Sequence, residues 1–344
     1  MSKKKILVFG AGSVGAHHIN AARHINAKVS VTDINDVQLR YLKKKLYPSR
    51  YKKWDEKIEI IKYEDVFKLK DTFDLIVLGI SPLHHLPILK KCLKSLKLKR
   101  ILVEKPLFTF NQKINSKFFL NHQNKIYCGF NHEVSESILF LKKYIKSKEK
   151  INKIDISWKE SFKHLLKAHP WIKTIDDTYL SNVLIGGGVL HEFSHAVHIT
   201  NTLKDLIKTD RPLNFTSKIF FKKNIKNKKY DYSSKIFFKN NELKISTNIN
   251  GVSIIPKKKI IVTSGKETFI WERLAERNQE RVIICGEKAN KFQKIFKITR
   301  PQDFITQTKL LISNKKKDIN KIECNNFVNS MKTHSLIKKC IKNY

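Results

Sequence analysis

Gly186 to His198 (GGGVLHEFSHAVH) gathers three histidines and one carboxylate behind three glycines. Read as one helix, the run puts His191, His195 and His198 at i, i+4 and i+7 on a common face, with Glu192 three positions before His195. Imidazoles titrate near neutral pH, so this face suits general acid/base work, with Glu192 to orient the His195 ring or bind a hydroxyl and His191 to contact substrate. The same letters spell H-E-x-x-H from His191 to His195, the short pattern of zinc hydrolases. On a straight helix His198 makes a poor third ligand, because seven residues at about 1.5 Å of rise each separate it from His191 by roughly 10 Å. No metal is assigned on that ground. The glycines let backbone approach a ligand or another chain segment closely.

A second set of capable residues lies upstream. Lys5–Phe9 (KILVF) reads as a strand, Gly10-Ala11-Gly12-Ser13-Val14-Gly15 as G-x-G-x-x-G, and the run to about Ile25 as a helix. Gly10 serves a tight turn, Gly12 the approach of a pyrophosphate and Gly15 the packing of helix on strand. The helix N-terminus at Ser13 and Val14 then faces the phosphates. A second strand, Lys28–Thr32, ends in Asp33, 18 positions after Gly15, near the ~20 expected of a ribose-binding acid. Its charge disfavours a 2′-phosphate, so NAD is expected over NADP, while Arg40 and Lys43 leave NADP open. Phe73–Gly79 (FDLIVLG) reads as an interior parallel strand that opens into Ile80–His85 on the ligand side of the sheet. The strand Arg100–Val103 runs into Glu104-Lys105-Pro106, where a lysine at the end of a parallel strand can meet substrate.

The rest of the chain must position these residues. Its 344 residues suit two domains. Five scattered cysteines without a C-x-x-C pair fit a reducing cytoplasm, and no apolar run reaches the ~18 residues of a membrane span. The net charge of +39 is mostly lysine spread over the whole length, which reads as composition and solvated faces rather than a specific nucleic-acid site. Lys222 to Lys229 and Lys257 to Lys259 are denser and suit the steering of an anionic substrate. In the second half, Ile151 to Ser157 and short β-branched runs near 218–221, 235–238, 243–248, 259–263 and 268–271 suit one antiparallel sheet, followed by helices near 301–312 and 323–342. Trp171 and Tyr179 offer aromatic planes on which the C–H face of a sugar ring can pack.

Together, GAGSVG, Asp33, the ISPLHH turn, the EKP triplet, Gly129-Phe130-Asn131 and the GGG-led helix resemble the glucose-fructose oxidoreductase / inositol dehydrogenase / rhizopine-catabolism (Gfo/Idh/MocA) family over nearly the whole chain. The resemblance implies an α/β protein. A doubly wound Rossmann domain, residues 1–129, would bind the dinucleotide, and an α/β domain with an open, mostly antiparallel sheet, residues 130–344, would bind substrate and carry the oligomer interface. It implies reversible hydride transfer with a sugar-like alcohol, with Lys105 and His195 facing nicotinamide and substrate and with Ser81, Pro82, His85, Glu104 and Asn131 around the cofactor. A subset associated with bacterial surface-sugar loci is more similar still: it combines an HPW segment, here His169-Pro170-Trp171, with GGGVL-x-E-x-SH, and implies substrate contacts for His169 and Trp171. In the common pattern an Asp stands four residues before the histidine. Here His191 stands there, and either it or Glu192 takes that place. The subset also ends in H-x-x-D where this chain has His198, and that departure keeps a non-catalytic NAD/sugar sensor as the rival to an enzyme.

Overall fold

A computed structural model describes residues 3–167, 173–286, 292–299 and 301–342. The chain divides into two compact units, one of residues 1–108, 112–134 and 299–330, the other of 109–111, 135–298 and 331–344. The first unit is thus closed by the segment 299–330, which returns to it from the far end of the chain.

The first unit is built on six parallel strands, β1 (Lys5–Phe9), β2 (Lys28–Thr32), β3 (Ile58–Ile60), β4 (Thr72–Leu78), β5 (Lys97–Val103) and β6 (Ile126–Cys128), in the order 3-2-1-4-5-6. This is the doubly wound order in which the chain reverses direction across the sheet between β1 and β4, leaving a crevice at their carboxyl ends. Strands covered on both faces read as continuous apolar runs, and β4 is buried from Leu75 to Leu78. Register sets Leu7 opposite both Ser30 and Ile76. Ile6, Val8, Val29, Val31, Leu75 and Val77 form the core over β1, β2 and β4, each worth ~1.5–3 kcal/mol on full burial. The segment after Asp33 runs as a helix Asp36–Tyr41, a π-turn Leu42–Leu46 and a helix Tyr47–Tyr51. The buried three-residue β6 has too short a pattern to be read from sequence.

The second unit carries eight strands: β7 (Lys153–Ser161), β8 (Asn214–Lys223), β9 (Lys229–Lys239), β10 (Lys244–Asn250), β11 (Val252–Ser264), β12 (Glu267–Leu274), β13 (Gln279–Cys285) and β14 (Phe292–Lys297). Their order is 14-13-12-11-7-10-9-8, antiparallel throughout except for the parallel pair β7 and β10. The mostly antiparallel sheet is thus present, with β13 and β14 beyond the strands expected. Among the described residues, no helix is long and apolar enough to cross a membrane.

The stretch Gly186–His198 departs from a single helix. Val189–Glu192 is one short turn, Phe193 leaves helical geometry at φ −99°, ψ 32°, and Ser194–Lys204 begins a second helix. The break follows from packing: Phe193 is buried and stacks on Phe162, with ring centroids 5.9 Å apart. His191 and His195 therefore sit on different helices, on either side of the break at Phe193.

Candidate active site

At the carboxyl edge of the parallel sheet, β1 passes into the glycine turn. Gly10 has φ +105°, and a Cβ there would meet the Gly79 carbonyl oxygen at 2.3 Å, while a Cβ on Gly15 would lie 1.9 Å from the carbonyl oxygen of Gly10. Gly12 is different, since nothing lies within 4 Å of where its Cβ would be. Two glycines thus close a junction within the protein and the middle one leaves room beside the turn. Asp33 is fixed by backbone, Oδ2 accepting from Ala11 N at 2.8 Å and Oδ1 from Asn35 N at 2.9 Å. Gln38 Nε2 donates to the Ala11 carbonyl at 3.0 Å.

A cavity of about 370 Å³ opens here, lined among others by Gly10, Gly12, Asp33, Gln38, Ser81 and His84. Space at Gly12, a carboxylate with its orientation set, and a helix N-terminus whose cap residue has no side-chain hydrogen bond together fit a dinucleotide. Asp33, the turn Gly10–Gly15 and Ser81 would hold it. Of the two cations that left NADP open, Lys43 is paired with Glu56 at 3.1 Å and Arg40 is exposed.

Other expected cofactor residues have protein partners. Pro82 is buried at the start of the helix Pro82–Ser95. His85 does not line the cavity. It turns inward, wholly buried, with Nδ1 2.9 Å from the Pro106 carbonyl and Nε2 3.0 Å from that of Ile80, and burial holds its pKa below the ordinary value. Its neighbour His84 takes the lining position. Glu104 Oε1 meets His18 Nε2 at 2.6 Å and its Oε2 accepts from Lys105 N at 3.2 Å. Lys105 is half-buried directly beyond β5, joined to Pro106 by a cis peptide. Asn131 donates to Asp303 Oδ2 at 2.9 Å, from Nδ2.

In the second unit, His195 is half-buried and stacks on Trp158 of β7, with ring centroids 6.1 Å apart and planes 21° apart. Lys258 Nζ lies 4.7 Å from the centre of that indole and pairs with Glu160. Glu192 accepts a 2.7 Å hydrogen bond from the Tyr179 hydroxyl, which gives Tyr179 a polar task as well as a ring. His191 is fully buried, its Nδ1 donating to the Gly187 carbonyl at 3.0 Å. Burial, and then the neighbouring His334, push its pKa down to about 4, so the ring is neutral at physiological pH. His198 shares a 2.8 Å hydrogen bond with Thr333. His169 and Trp171 lie outside the described residues. Among the described residues, no group of three or more His, Cys, Asp or Glu side chains is gathered as a metal site.

Three residues without a sequence signal belong to these settings: His18 beneath Glu104, Arg50 at the glycine turn, and Asp231 of β9. Asp231 is wholly buried, and its Oδ2 accepts from Leu190 N at 2.9 Å. A Cβ on Gly188, which has φ +81°, would sit 1.8 Å from Asp231 Oδ1. The glycines Gly187 and Gly188 therefore admit other chain segments, because a Cβ on Gly187 would likewise lie 2.1 Å from the Tyr179 carbonyl.

The fold and the nucleotide crevice define an NAD-binding Rossmann domain joined to a second α/β unit. Residues 4–128 match the Gfo/Idh/MocA profile, described as an oxidoreductase family with an NAD-binding Rossmann fold. Solved structures share the fold over the full length. UDP-N-acetylglucosamine 3-dehydrogenase from Acidithiobacillus ferrooxidans is 11% identical, with 99% of this chain and 97% of that one covered and a TM-score of 0.68. A 3-ketoreductase from Actinomadura kijaniata, in complex with NADP and TDP-benzene, is 11% identical, with 99% and 98% covered and a TM-score of 0.69. Aldose-aldose oxidoreductase from Caulobacter crescentus is 11% identical, with 99% and 97% covered and a TM-score of 0.72. No curated protein sequence matches the chain significantly.

Proposed function

We propose that the protein transfers a hydride between a nicotinamide cofactor and a hydroxyl or carbonyl carbon of a sugar or sugar derivative. The observation that carries this reading is the cavity at the β1/β4 crevice, with Asp33 fixed by two backbone N–H groups beside an open Gly12. The bound cofactor supplies or accepts the hydride, so the chain's own residues must hold the carbon and move one proton. Lys105 hydrogen-bonds the reacting oxygen and stabilises the charge that develops there. His195 exchanges the proton, its ring held against Trp158, and contributes about 10²–10⁴-fold. Glu192, oriented by Tyr179, binds a substrate hydroxyl beside it. Neutral His191 has its Nδ1 committed to Gly187 and supports the turn, which favours Glu192 over His191 in the position usually held by Asp.

Asp33 favours NAD over NADP. An anionic or nucleotide-linked sugar of surface-polysaccharide metabolism is the preferred substrate class, supported by the net charge of +39 and by the UDP- and TDP-bearing names among proteins of this fold. His169 and Trp171 are proposed contacts on the sugar. The open sheet of the second unit is proposed as the surface of a cytoplasmic homo-oligomer, since register aligns Ile261, Ile270 and Ile283 across β11, β12 and β13.

A panel of free, acidic and nucleotide-linked sugars assayed with NAD+ and NADP+ by nicotinamide absorbance tests the proposal. Turnover of at least one sugar, with NAD+ preferred, is expected. Tight binding of NADH without turnover of any member, together with unchanged biological activity of Lys105→Ala and His195→Ala proteins, would instead establish a sensor.

A further inference from the structure

Arg50 lies 35 positions beyond Gly15 in the short helix Tyr47–Tyr51, yet it reaches the glycine turn. Its Nη1 donates to the Ser13 carbonyl at 2.8 Å and its Nη2 to the Ser13 hydroxyl at 2.9 Å. Both atoms of the fork thus grip one residue, the first of the helix Ser13–His24. Nη1 is also 3.4 Å from His17 Nε2, one helical turn on, and His17 Nδ1 is 2.6 Å from the hydroxyl of Tyr51, the residue after Arg50. His17 in turn stacks on Phe304, with centroids 5.0 Å apart. The guanidinium is therefore held from below and cannot be displaced without disturbing several contacts.

This placement is unusual electrostatically. The N-terminal end of a helix carries partial positive charge, which favours anions and disfavours cations in the first turn. Here the first turn contains no acidic residue, Gly12 offers no side-chain cap, and a permanent cation is brought to that end. An arriving diphosphate reverses the sign of the balance, because it is attracted both by the helix end and by the cation beside it.

We propose that Arg50 is a positioning residue for the dinucleotide. By gripping Ser13 from outside the turn it presets the backbone that meets the diphosphate, and its charge adds to the attraction. The inference rests on the glycine turn being the nucleotide site.

The test is equilibrium binding of NADH, ADP and adenosine to the wild-type protein and to Arg50→Ala, Arg50→Lys and Ser13→Ala, by fluorescence and ligand-observed NMR at low and high salt. Arg50→Ala should raise the Kd for NADH and ADP by about tenfold at low salt, with a smaller difference at high salt. Adenosine, which has no phosphate, should bind both proteins alike. Arg50→Lys should recover part of the loss by restoring charge, and Ser13→Ala should lose less than Arg50→Ala because only one contact goes. Equal ADP affinity in Arg50→Ala and wild type overturns the inference while leaving the nucleotide site intact. A parallel loss for adenosine also overturns it, since the effect would then be a general disturbance of the fold. Failure of the wild-type protein to bind NADH or ADP would remove the nucleotide site itself, and the inference with it.

Discussion

The carboxylate of Glu104 meets the imidazole of His18 at 2.6 Å in the interior of the first unit, and its other oxygen receives the backbone N–H of Lys105 at 3.2 Å. Glu104 thus anchors the loop that carries Lys105 to the first helix of the nucleotide fold. Room for the carboxylate comes from Gly129, where a Cβ would lie 2.7 Å from it. Gly129→Ala should therefore push Glu104 off His18. We expect a loss of about 1–3 kcal/mol in thermal or urea unfolding and at least a tenfold fall in turnover. A protein with unchanged stability and activity would show that the pair does not hold the loop.

Lys105→Ala and His195→Ala test the chemistry separately from binding. Each should lower kcat by about 10²–10⁴-fold, with NADH affinity within a few-fold of wild type in fluorescence titrations. Turnover that survives in both would remove these residues from the reaction.

His191 and Asp231 titrate in the same acid range with opposite effects on stability. The pKa of His191 falls from 6.5 to about 4 on folding, so its contribution is fully present above about 6.5 and is lost as pH falls towards 4. The Asp231 pKa rises from 3.8 to about 6, mainly through burial, so its contribution is present below about 3.8 and is lost as pH rises through 6. Each is worth on the order of 3 kcal/mol. In urea unfolding across this range, His191→Gln should remove a loss of stability on acidification and Asp231→Asn should remove a gain. Parallel pH curves for wild type and both variants would contradict this.

Gly188→Ala places a methyl group in conflict with Asp231 at a left-handed backbone position, and should cost roughly 2 kcal/mol or more. Asp231→Ala relieves the contact but not the backbone conformation. The double variant should therefore be more stable than the sum of the single changes predicts, with a coupling of about 1 kcal/mol or more in a double-mutant cycle. Simple additivity would mean that the two residues do not meet.

Much of the nucleotide half was legible because its signals are local. An apolar run, a glycine turn and an acid at the end of the next strand are each written in consecutive residues, and β1, β2 and β4 fall where those runs lie. The residues that were missed act across distance in the chain: His18 reaches Glu104 over 86 positions, Arg50 reaches Ser13 over 37, and Asp231 reaches Leu190 over 41. No periodicity records such a meeting. The break at Phe193 was equally hidden, because VLHEFSHAVH suits a helix throughout and only the packing of Phe193 on Phe162 interrupts it. The same break places His191 and His195 of the five-letter H-E-x-x-H spelling on different helices.

The glycine junction divides the cofactor site into positions that can be redesigned and positions that cannot. A Cβ on Gly10 or Gly15 meets backbone oxygen, and a Cβ on Gly79 would lie 3.3 Å from Gly15 Cα, so evolution or an engineer has no side chain to vary there. Ile34 and Val37, 81% and 62% exposed beyond Asp33, are unconstrained by comparison. A change of preference between NAD and NADP would have to be written in that exposed segment, by replacing Asp33 and introducing a cation among its neighbours, while the residues proposed for catalysis, Lys105 and His195, are left as they stand.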